Sequence, residues 1–177
     1  MQIDVATGTK ESYSDVNKKL IRVALNMKHF GIKNCGDVIA VCSENSLDCI
    51  LPIFGGIYNN TVVSCLDPSI SLRDTVYLLN VVRPKVIFIQ SASLSLIEEA
   101  INRLDFKIDI VDMNSTSSYV GFEKFLEANE WESTFQPEPV HDVNDTKLIL
   151  FSSGTTGMPK GICCTDYGIM GNIMSGA

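Results

Sequence analysis

Four short apolar runs, each bounded by residues that break regular structure, most constrain the fold of this chain. They begin at Val38, Thr61, Lys85 and Lys107, and segments with helical spacing lie between them. A continuous apolar run of about four to eight residues is typical of a strand covered on both faces. Strands joined through helices form right-handed βαβ crossovers, so the alternation predicts a mainly parallel, doubly wound α/β sheet.

The first helical segment follows two short strands that the sequence predicts around a turn at Thr7-Gly8. Ser12 or Ser14 is the expected N-cap, and Gly31 is expected to end the helix. Its apolar residues recur at intervals of three and four, as one helix face requires, and are Val16, Leu20, Val23, Met27 and Phe30.

The second helical segment covers residues 47–58 and contains residues that restrict its packing. Pro52 would kink the helix unless it falls in the first turn. Gly55 and Gly56 predict close packing against a neighbour rather than phosphate binding, since no strand directly precedes them. Asn45 is expected to cap the helix rather than to contact a ligand.

Later segments follow the same alternation. Ser71 and Asp74 form a capping box before a third helix, and residues 93–104 predict a fourth. A short helix is expected over residues 121–129. Residues 129–145 contain five acidic residues and no Lys or Arg, which predicts an extended surface connector rather than a metal site.

The stretch from Leu148 to Gly161 carries the clearest chemical signal. Its apolar start predicts a strand buried on both faces, and seven of the ten residues after Phe151 are Ser, Thr or Gly. Glycine lets backbone N–H groups turn inward, and hydroxyl groups add uncharged donors. Such a loop suits an anion such as phosphate, and Lys160 supplies a positive charge.

The spacing in this loop differs from that of the common P-loop, which leads directly from G-x-x-x-x-G-K-[ST] into a helix. Gly154 and Gly157 are only three residues apart, and Gly161 stands where the P-loop has Ser or Thr. Pro159 removes one donor and disfavours a helix start. The β-prone residues 162–165 predict a strand after the loop instead.

The ten residues from Ser152 to Gly161 closely resemble the phosphate-loop signature of the adenylate-forming enzymes. These include acyl-CoA synthetases, 4-coumarate–CoA ligases, beetle luciferases and peptide-synthetase adenylation domains. The resemblance begins at about Thr7 and also includes Asp37 and Asn45. It implies that residues 1–177 are the incomplete N-terminal portion of the large AMP-binding domain, ending just after the phosphate loop, with the C-terminal lid domain absent.

Enzymes of this kind join a carboxylate to AMP from ATP and release pyrophosphate. They commonly pass the acyl group to coenzyme A, whereas luciferases oxidise the adenylate. The resemblance therefore implies ATP, Mg²⁺ and coenzyme A as cofactors and a fatty or aryl carboxylic acid as substrate. It implies no catalytic residue and no metal ligand in this stretch, and it assigns the phosphates of ATP to Ser152, Ser153, Gly154, Thr155, Thr156, Gly157 and Lys160.

Motifs that form the adenine and acyl pockets of these enzymes do not occur in the sequence, nor does the lid lysine. The expectation is a fragment of an ATP-dependent carboxylate–CoA ligase that is inactive alone. A luciferase-like monooxygenase fragment and a non-catalytic module that binds a nucleotide or a partner are the alternatives.

Asp166 departs from the family pattern, since many relatives carry His five residues after the last glycine of the loop. A carboxylate that faced the nucleotide would have the wrong charge. At the start of a helix it would be a favourable cap, and we favour this interpretation.

Overall charge and cysteine use limit the classes of function. A net charge of −7 argues against a nucleic-acid partner, and no apolar run reaches the ~20 residues of a membrane span. Residues 1–10 lack the features of a signal peptide. The six cysteines form no C-x-x-C pair, which favours free thiols and an intracellular location in the cytoplasm or the peroxisome.

Overall fold

A seven-stranded sheet forms the centre of the molecule in a computed structural model that describes residues 1–32, 36–152 and 157–175. The strands run over Gln2–Ile3 (β1), Lys10–Glu11 (β2), Val38–Cys42 (β3), Val62–Leu66 (β4), Val86–Ile89 (β5), Asp109–Asp112 (β6), Val120–Gly121 (β7), Thr146–Ser152 (β8) and Lys160–Thr165 (β9). The helices run over Tyr13–His29 (α1), Ile50–Tyr58 (α2), Leu72–Val82 (α3), Leu94–Ile101 (α4), Glu123–Leu126 (α5) and Asp166–Ser175 (α6). Short 3₁₀ turns cover Ser91–Ser93 and Glu132–Thr134.

The strand order in this sheet is β7-β6-β5-β3-β4-β8-β9. Each neighbouring pair is parallel except β8 and β9, and β1 and β2 form a separate antiparallel pair. The chain moves from β3 through α2 to β4 on one side, then returns through α3 to β5 on the other side of β3. The predicted mainly parallel, doubly wound sheet is confirmed.

Helices cover both faces of the sheet, and each face has its own apolar core. On one face, Val23 of α1 and Leu51 of α2 pack with Ile39 and Phe88. On the other face, residues of α3 and α4 pack with Ala40, Cys42 and Ile87. The alternation of side chains along each strand supplies both cores, as expected of a sheet covered on both faces.

Capping residues fix the starts of two helices. The Oγ of Ser12 accepts a hydrogen bond from the Asp15 backbone N–H at 3.1 Å, so Ser12 rather than Ser14 caps α1. The Oγ of Ser71 accepts from the Asp74 N–H at 3.2 Å and donates to the Asp74 carboxylate at 2.8 Å. The predicted N-cap at Ser71 is confirmed, but Asp74 accepts from the Ser71 hydroxyl rather than from the Ser71 backbone N–H that a capping box uses.

The start of α2 corrects one prediction. The helix begins at Ile50 after the N-cap Cys49, so Asn45 is not its cap. Because Pro52 has no N–H to donate, a start at Ile50 places it in the first turn, where it disrupts no helical hydrogen bond. Residues 43–48 therefore lie outside the helix, and Asn45 is exposed.

The two glycines of α2 allow the close packing that was predicted. A Cβ at Gly55 would lie 2.7 Å from the Cγ1 of Val23 on α1. A Cβ at Gly56 would lie 2.7 Å from the Cγ2 of Val63 and 2.9 Å from the Cδ1 of Ile39. Gly55 therefore packs directly against α1, and Gly56 packs directly against the sheet.

The predicted helix over residues 121–129 is shorter than expected. Val120–Gly121 instead forms β7, which pairs with β6, and α5 occupies only Glu123–Leu126. Phe122 and Phe125 are buried and stack at a centroid distance of 6.0 Å. The helix can begin only after β7, and it ends at Glu127, where ψ is 142°.

The acidic connector between α5 and β8 runs along the surface, but two of its carboxylates are paired. Glu132 accepts from the Nε of Arg22 at 2.8 Å, and Glu138 forms an ion pair with Lys28. The backbone N–H of Glu138 also donates to the Tyr58 carbonyl at 2.7 Å. Basic residues of α1 thus offset part of the negative charge of the connector.

The helices of this protein are short or amphipathic. Within residues 1–32, 36–152 and 157–175, no helix is long and apolar enough to cross a bilayer.

Candidate functional site

The predicted phosphate loop lies at the closed end of the β8–β9 hairpin. Ser152, the last residue of β8, is paired in register with Lys160, the first residue of β9. The strand–loop–strand prediction is therefore confirmed for the two strands. Of the residues assigned to phosphates, Ser152, Gly157 and Lys160 are described here, whereas Ser153, Gly154, Thr155 and Thr156 lie outside the described residues.

The hairpin places these residues at the carboxyl end of the parallel strands. β8 runs parallel to β4, with Leu148 opposite Val63 and Ile149 opposite Ser64. Open α/β sheets bind ligands outside the carboxyl ends of their strands. Ser152 and Lys160 therefore lie at the edge of the sheet where a ligand is expected.

Backbone conformation in the loop agrees with its glycine content. Gly157 has φ 146°, which L side chains rarely adopt, and a Cβ there would meet no heavy atom of the described residues within 4 Å. The backbone conformation rather than lack of space thus favours glycine at this position.

Lys160 supplies positive charge beside the loop. Its side chain is exposed, and among the described residues it makes no ion pair. An amine without a protein counter-charge is available to an anionic ligand. Its charge can therefore act on a phosphate group close to Ser152.

A cavity of about 690 Å³ lies between the hairpin and the start of α3. Ser152 and Gly157 line one side of it, and Leu66, Asp67 and Asp74 line another. The Asp67 carboxylate accepts from the Ser69 Oγ at 2.7 Å and the Ser69 N–H at 2.8 Å, and these bonds lower its pKa. The cavity therefore has donors on the hairpin side and carboxylates on the α3 side.

Metal binding by the protein alone has little support in this region. Across the part of the chain that the structure describes, no group of three or more His, Cys, Asp or Glu side chains is arranged to hold a metal ion. Asp74 already accepts a hydrogen bond from the Ser71 hydroxyl at the start of α3.

The five described cysteines are free, as predicted, and Cys35 lies outside the described residues. Burial raises the pKa of Cys42 and of Cys65 to about 11, so both thiols stay protonated and unreactive near neutral pH. Cys163 on β9 is exposed.

The strand before the loop is less covered than its apolar sequence predicts. Leu150 is 40% exposed, and Ile149 and Phe151 are only half-buried. β9 lies at the edge of the sheet, and Ile162 on it is 50% exposed. No described helix covers this end of the sheet as α1 to α4 cover its centre, so the prediction of burial on both faces is wrong for β8.

Asp166 lies at the helix start that the sequence suggested, but Thr165 is the residue that caps α6. The Oγ1 of Thr165 accepts from the Gly168 N–H at 3.1 Å. Asp166 occupies the first turn, where its charge suits the positive end of the helix dipole. One carboxylate oxygen lies 3.4 Å from the Nζ of Lys147.

Lys147 is a residue of this region that sequence reasoning missed. Its side chain is only 2% exposed, and its amine donates to the Oδ1 of Asn60. A lysine between a polar connector and an apolar strand is usually solvated. No local pattern indicates its burial, because Asn60 is 87 positions away.

Comparison with known proteins decides the family. The model of the AMP-binding enzyme family matches residues 2–176, nearly the whole chain. The chain belongs to the AMP-binding enzyme family. The AMP-binding relatives are much longer, and the chain spans about 30% of the length of the curated proteins that it matches.

Individual relatives within the AMP-binding family include luciferases and ligases. Luciferin 4-monooxygenase from Photuris pensylvanica is 29% identical over 92% of this chain and 31% of its own length. 4-Coumarate–CoA ligase 2 from Petroselinum crispum is 28% identical over 97% of this chain and 30% of its own length. The solved structure of the luciferase-like enzyme from the nonluminescent mealworm Zophobas morio superposes with a TM-score of 0.92 and 34% identity, covering 99% of this chain and 41% of that chain.

Proposed function

We propose that this chain contributes the pyrophosphate-binding hairpin of an enzyme that activates a carboxylic acid as an acyl adenylate. The main support is the pairing of Ser152 with Lys160 at the carboxyl end of a parallel sheet. The proposed phosphate ligands are Ser152, Ser153, Gly154, Thr155, Thr156, Gly157 and Lys160. Residues 1–177 would then form the N-terminal portion of the large AMP-binding domain.

The chemistry of adenylation explains why such a hairpin is needed. When a carboxylate attacks the α-phosphorus of ATP, negative charge builds on the departing pyrophosphate. Donors and a cation placed where that charge develops stabilise the transition state. The ammonium of Lys160 and the hydroxyl of Ser152 are suited to this role, and a charged hydrogen bond of this type contributes roughly 1.5–3 kcal/mol.

ATP enters such a site as its Mg²⁺ complex, so we treat the metal as part of the substrate. Mg²⁺ is commonly held by substrate phosphates together with one or two carboxylates. Bound Mg²⁺ would neutralise part of the polyphosphate charge, which matters because Asp67 and Asp74 line the adjoining cavity. The hairpin side of the cavity fits the phosphates rather than the metal.

The second half-reaction has two candidates in this family. Transfer of the acyl group to coenzyme A is our first proposal, with a fatty or aryl acid as the acyl donor. Oxidation of the adenylate, as in a luciferase-like enzyme, is the alternative supported by the similarity to luciferin 4-monooxygenase from Photuris pensylvanica. Both chemistries use the same adenylation step, so the hairpin would serve either one.

Pyrophosphate binding by the purified chain tests the proposal. We expect binding detectable by ³¹P NMR or calorimetry, and Lys160→Met should weaken it by about tenfold or more, equivalent to about 1.4 kcal/mol. Lys124→Met is the matched control, since Lys124 lies exposed on α5 beside Glu127. Equal affinity in the Lys160 and Lys124 variants would contradict the proposal.

Catalysis by the chain alone is a separate expectation. Because it spans about 30% of the length of its relatives, we expect no ATP–pyrophosphate exchange even where pyrophosphate binds. Measurable exchange with any carboxylic acid would show that the chain is catalytically sufficient. Binding of nucleotide or a partner chain without exchange is the outcome expected of a non-catalytic module.

A further inference from the structure

The hairpin that carries the phosphate loop contains an irregularity near its base. Pairing of β8 with β9 passes from Thr146 opposite Thr165 directly to Leu148 opposite Cys164, so Lys147 has no partner on β9. An extra residue on one strand of an antiparallel pair is a β-bulge, which redirects a side chain and shifts the later pairing by one residue.

The bulged residue is held by polar contacts inside the protein. The ammonium of Lys147 donates to the Oδ1 of Asn60 and lies 3.4 Å from the Oδ2 of Asp166. The side chain of Asp166 is only 16% exposed, and its Oδ2 has no hydrogen-bond partner among the described residues. The Lys147 charge, together with the positive end of the α6 dipole, therefore compensates a largely buried carboxylate.

Both partners of Lys147 are themselves fixed. Asn60 has φ 57°, and its amide donates to the Pro139 carbonyl at 3.2 Å. Asp166 begins α6, and its backbone N–H donates to the Asp145 carbonyl at 3.4 Å. The bulge is thus tied to the end of α2, to the acidic connector and to the start of α6.

Burial of apolar side chains does little to fix the pairing of β9. The residues from Lys160 to Cys163 are exposed, and among the described strands none pairs with the outer side of β9. Register is weakly specified when neither face of a strand is buried. The hydrogen bond of Lys147 to Asn60 and its ion pair with Asp166, at the base of the hairpin, can supply the missing specification.

We propose that the buried Lys147–Asp166 ion pair, with Asn60, locks the β-bulge and so sets the register of the phosphate-loop hairpin. Without the bulge, regular pairing would continue from Thr146 opposite Thr165, and Lys160 would face Phe151 instead of Ser152. Lys147 is then a positioning residue that acts on the loop through β8. Its effect on phosphate binding rests on the function proposed above, whereas its effect on register does not.

Cross-strand disulfides can report the register directly. Residues directly opposed in antiparallel strands have Cα atoms about 4.5–5.5 Å apart, within the range that a disulfide spans. Cys163 lies opposite Ile149 in the observed register and would lie opposite Leu148 without the bulge. In a Cys164→Ser background, oxidation of the Ile149→Cys chain reports the observed register, and oxidation of the Leu148→Cys chain reports the shifted one.

We expect the Ile149→Cys disulfide to predominate in the chain that retains Lys147. Lys147→Met should reverse the preference at least fivefold, as measured by peptide mass spectrometry, and weaken pyrophosphate binding by about tenfold. Lys147→Met leaves the Asp166 carboxylate without its counter-charge and should lower thermal stability. Adding Asp166→Asn to give a double variant should restore that stability, whereas the shifted disulfide should remain. Lys147→Arg, which keeps the charge, should retain the observed register, and Lys124→Met is the control for loss of an exposed ion pair.

These outcomes separate register from general stability and from phosphate binding. An unchanged disulfide preference in folded Lys147→Met or in the double variant would overturn the proposal. If neither Lys147→Met nor the double variant folded, the ion pair would serve overall stability rather than register. That outcome would also overturn the proposal. If Lys147→Met shifted the disulfide but even the chain that retains Lys147 did not bind pyrophosphate, the register lock would be supported and the proposed function rejected.

Discussion

At positions 55 and 56 of helix α2 the protein has no room for a methyl group. The spaces are limited by Val23 on α1 and by Val63 and Ile39 on the sheet. Two adjacent residues without side chains thus let one helix pack closely against two different neighbours. Sequence reasoning identified the glycines, but the structure identified what each one packs against.

Gly56→Ala should destabilise the protein by about 1–3 kcal/mol, because its Cβ would overlap Val63 and Ile39 in a packed core. Gly171→Ala is the matched control, since a Cβ there meets nothing within 4 Å in helix α6. That control should be neutral or slightly stabilising, as alanine favours a helix. Urea unfolding followed by circular dichroism compares them, and equal stabilities would refute the packing argument.

Asp112 is a buried carboxylate that organises the loop after β6. Burial opposes its ionisation, but hydrogen bonds from the Asn114, Thr116 and Ser117 backbone N–H groups and the Ser117 side chain outweigh it and lower the pKa to about 2. A carboxyl whose folded-state pKa is lowered stabilises the fold above its unfolded value of 3.8. That stabilisation falls below pH 3.8 and is lost below pH 2.

Asp112→Asn should therefore cost about 2 kcal/mol at pH 7, from the loss of charged hydrogen bonds. The difference from the unsubstituted protein should shrink as the pH falls below about 4. Asp109→Asn is the control on the same strand, since the ion pair of Asp109 with Lys107 is exposed. That substitution should change the free energy of unfolding by less than about 0.5 kcal/mol. Urea titrations between pH 7 and pH 3 measure both, and a difference that grows on acidification would contradict this account.

At the scale of secondary-structure elements, the ends of helices follow from local hydrogen bonds. Ser12 and Ser71 each satisfy a backbone N–H that the first turn leaves unpaired. At the far end of α3, Arg83 adopts φ 44°, and its guanidinium lies 4.1 Å from the centre of the Phe106 ring. The cation–π contact accompanies a backbone conformation that ends the helix before Pro84.

Ser71→Ala should lower the free energy of unfolding by about 1 kcal/mol, because the Asp74 N–H loses its side-chain acceptor. Ser71→Asn keeps an oxygen acceptor at the cap and should retain most of that stability. Thermal unfolding of both variants measures the effect. Equal loss in the two would mean that the cap hydrogen bond is not the cause.

At the scale of the whole molecule, several exposed apolar side chains lie at the end of the sheet that carries the hairpin. Ile162 on β9 and Met170, Ile173 and Met174 on α6 are each at least 50% exposed, and no described residue of α6 is buried. The centre of the sheet is covered on both faces by contrast. The phosphate-loop hairpin is thus less enclosed than the sheet that supports it.

Ile173→Gln with Met174→Gln should change the free energy of unfolding by less than about 0.5 kcal/mol, since neither side chain is buried. The same pair should reduce binding of a hydrophobic dye. Ile97→Ala in the core of α4 is the contrast and should cost about 2–5 kcal/mol. A large loss of stability in the α6 double variant would show that this helix is packed more closely than the structure has it.

Much of the fold follows from local sequence. Four parallel strands, the capped helices α1 and α3, and the strand–loop–strand form of the phosphate loop were predicted from apolar periodicity and turn residues. Short elements were harder to predict, because β7 exists only through its pairing with β6. The start of α2 was placed too early. Residue types that favour caps precede the helix by several positions, whereas the helix begins at Ile50, where Pro52 falls in the first turn.

The sequence alone determined the family resemblance and the location of the candidate phosphate loop, because both depend on residues that are consecutive in the chain. Tertiary structure decided the strand order, which brings β4 beside β8 although they are separated by more than a third of the chain. It also buried Lys147 beside Asn60 and Asp166, and paired Glu132 with Arg22. These contacts join residues far apart in sequence, so only folding of the whole sheet brings their charges together.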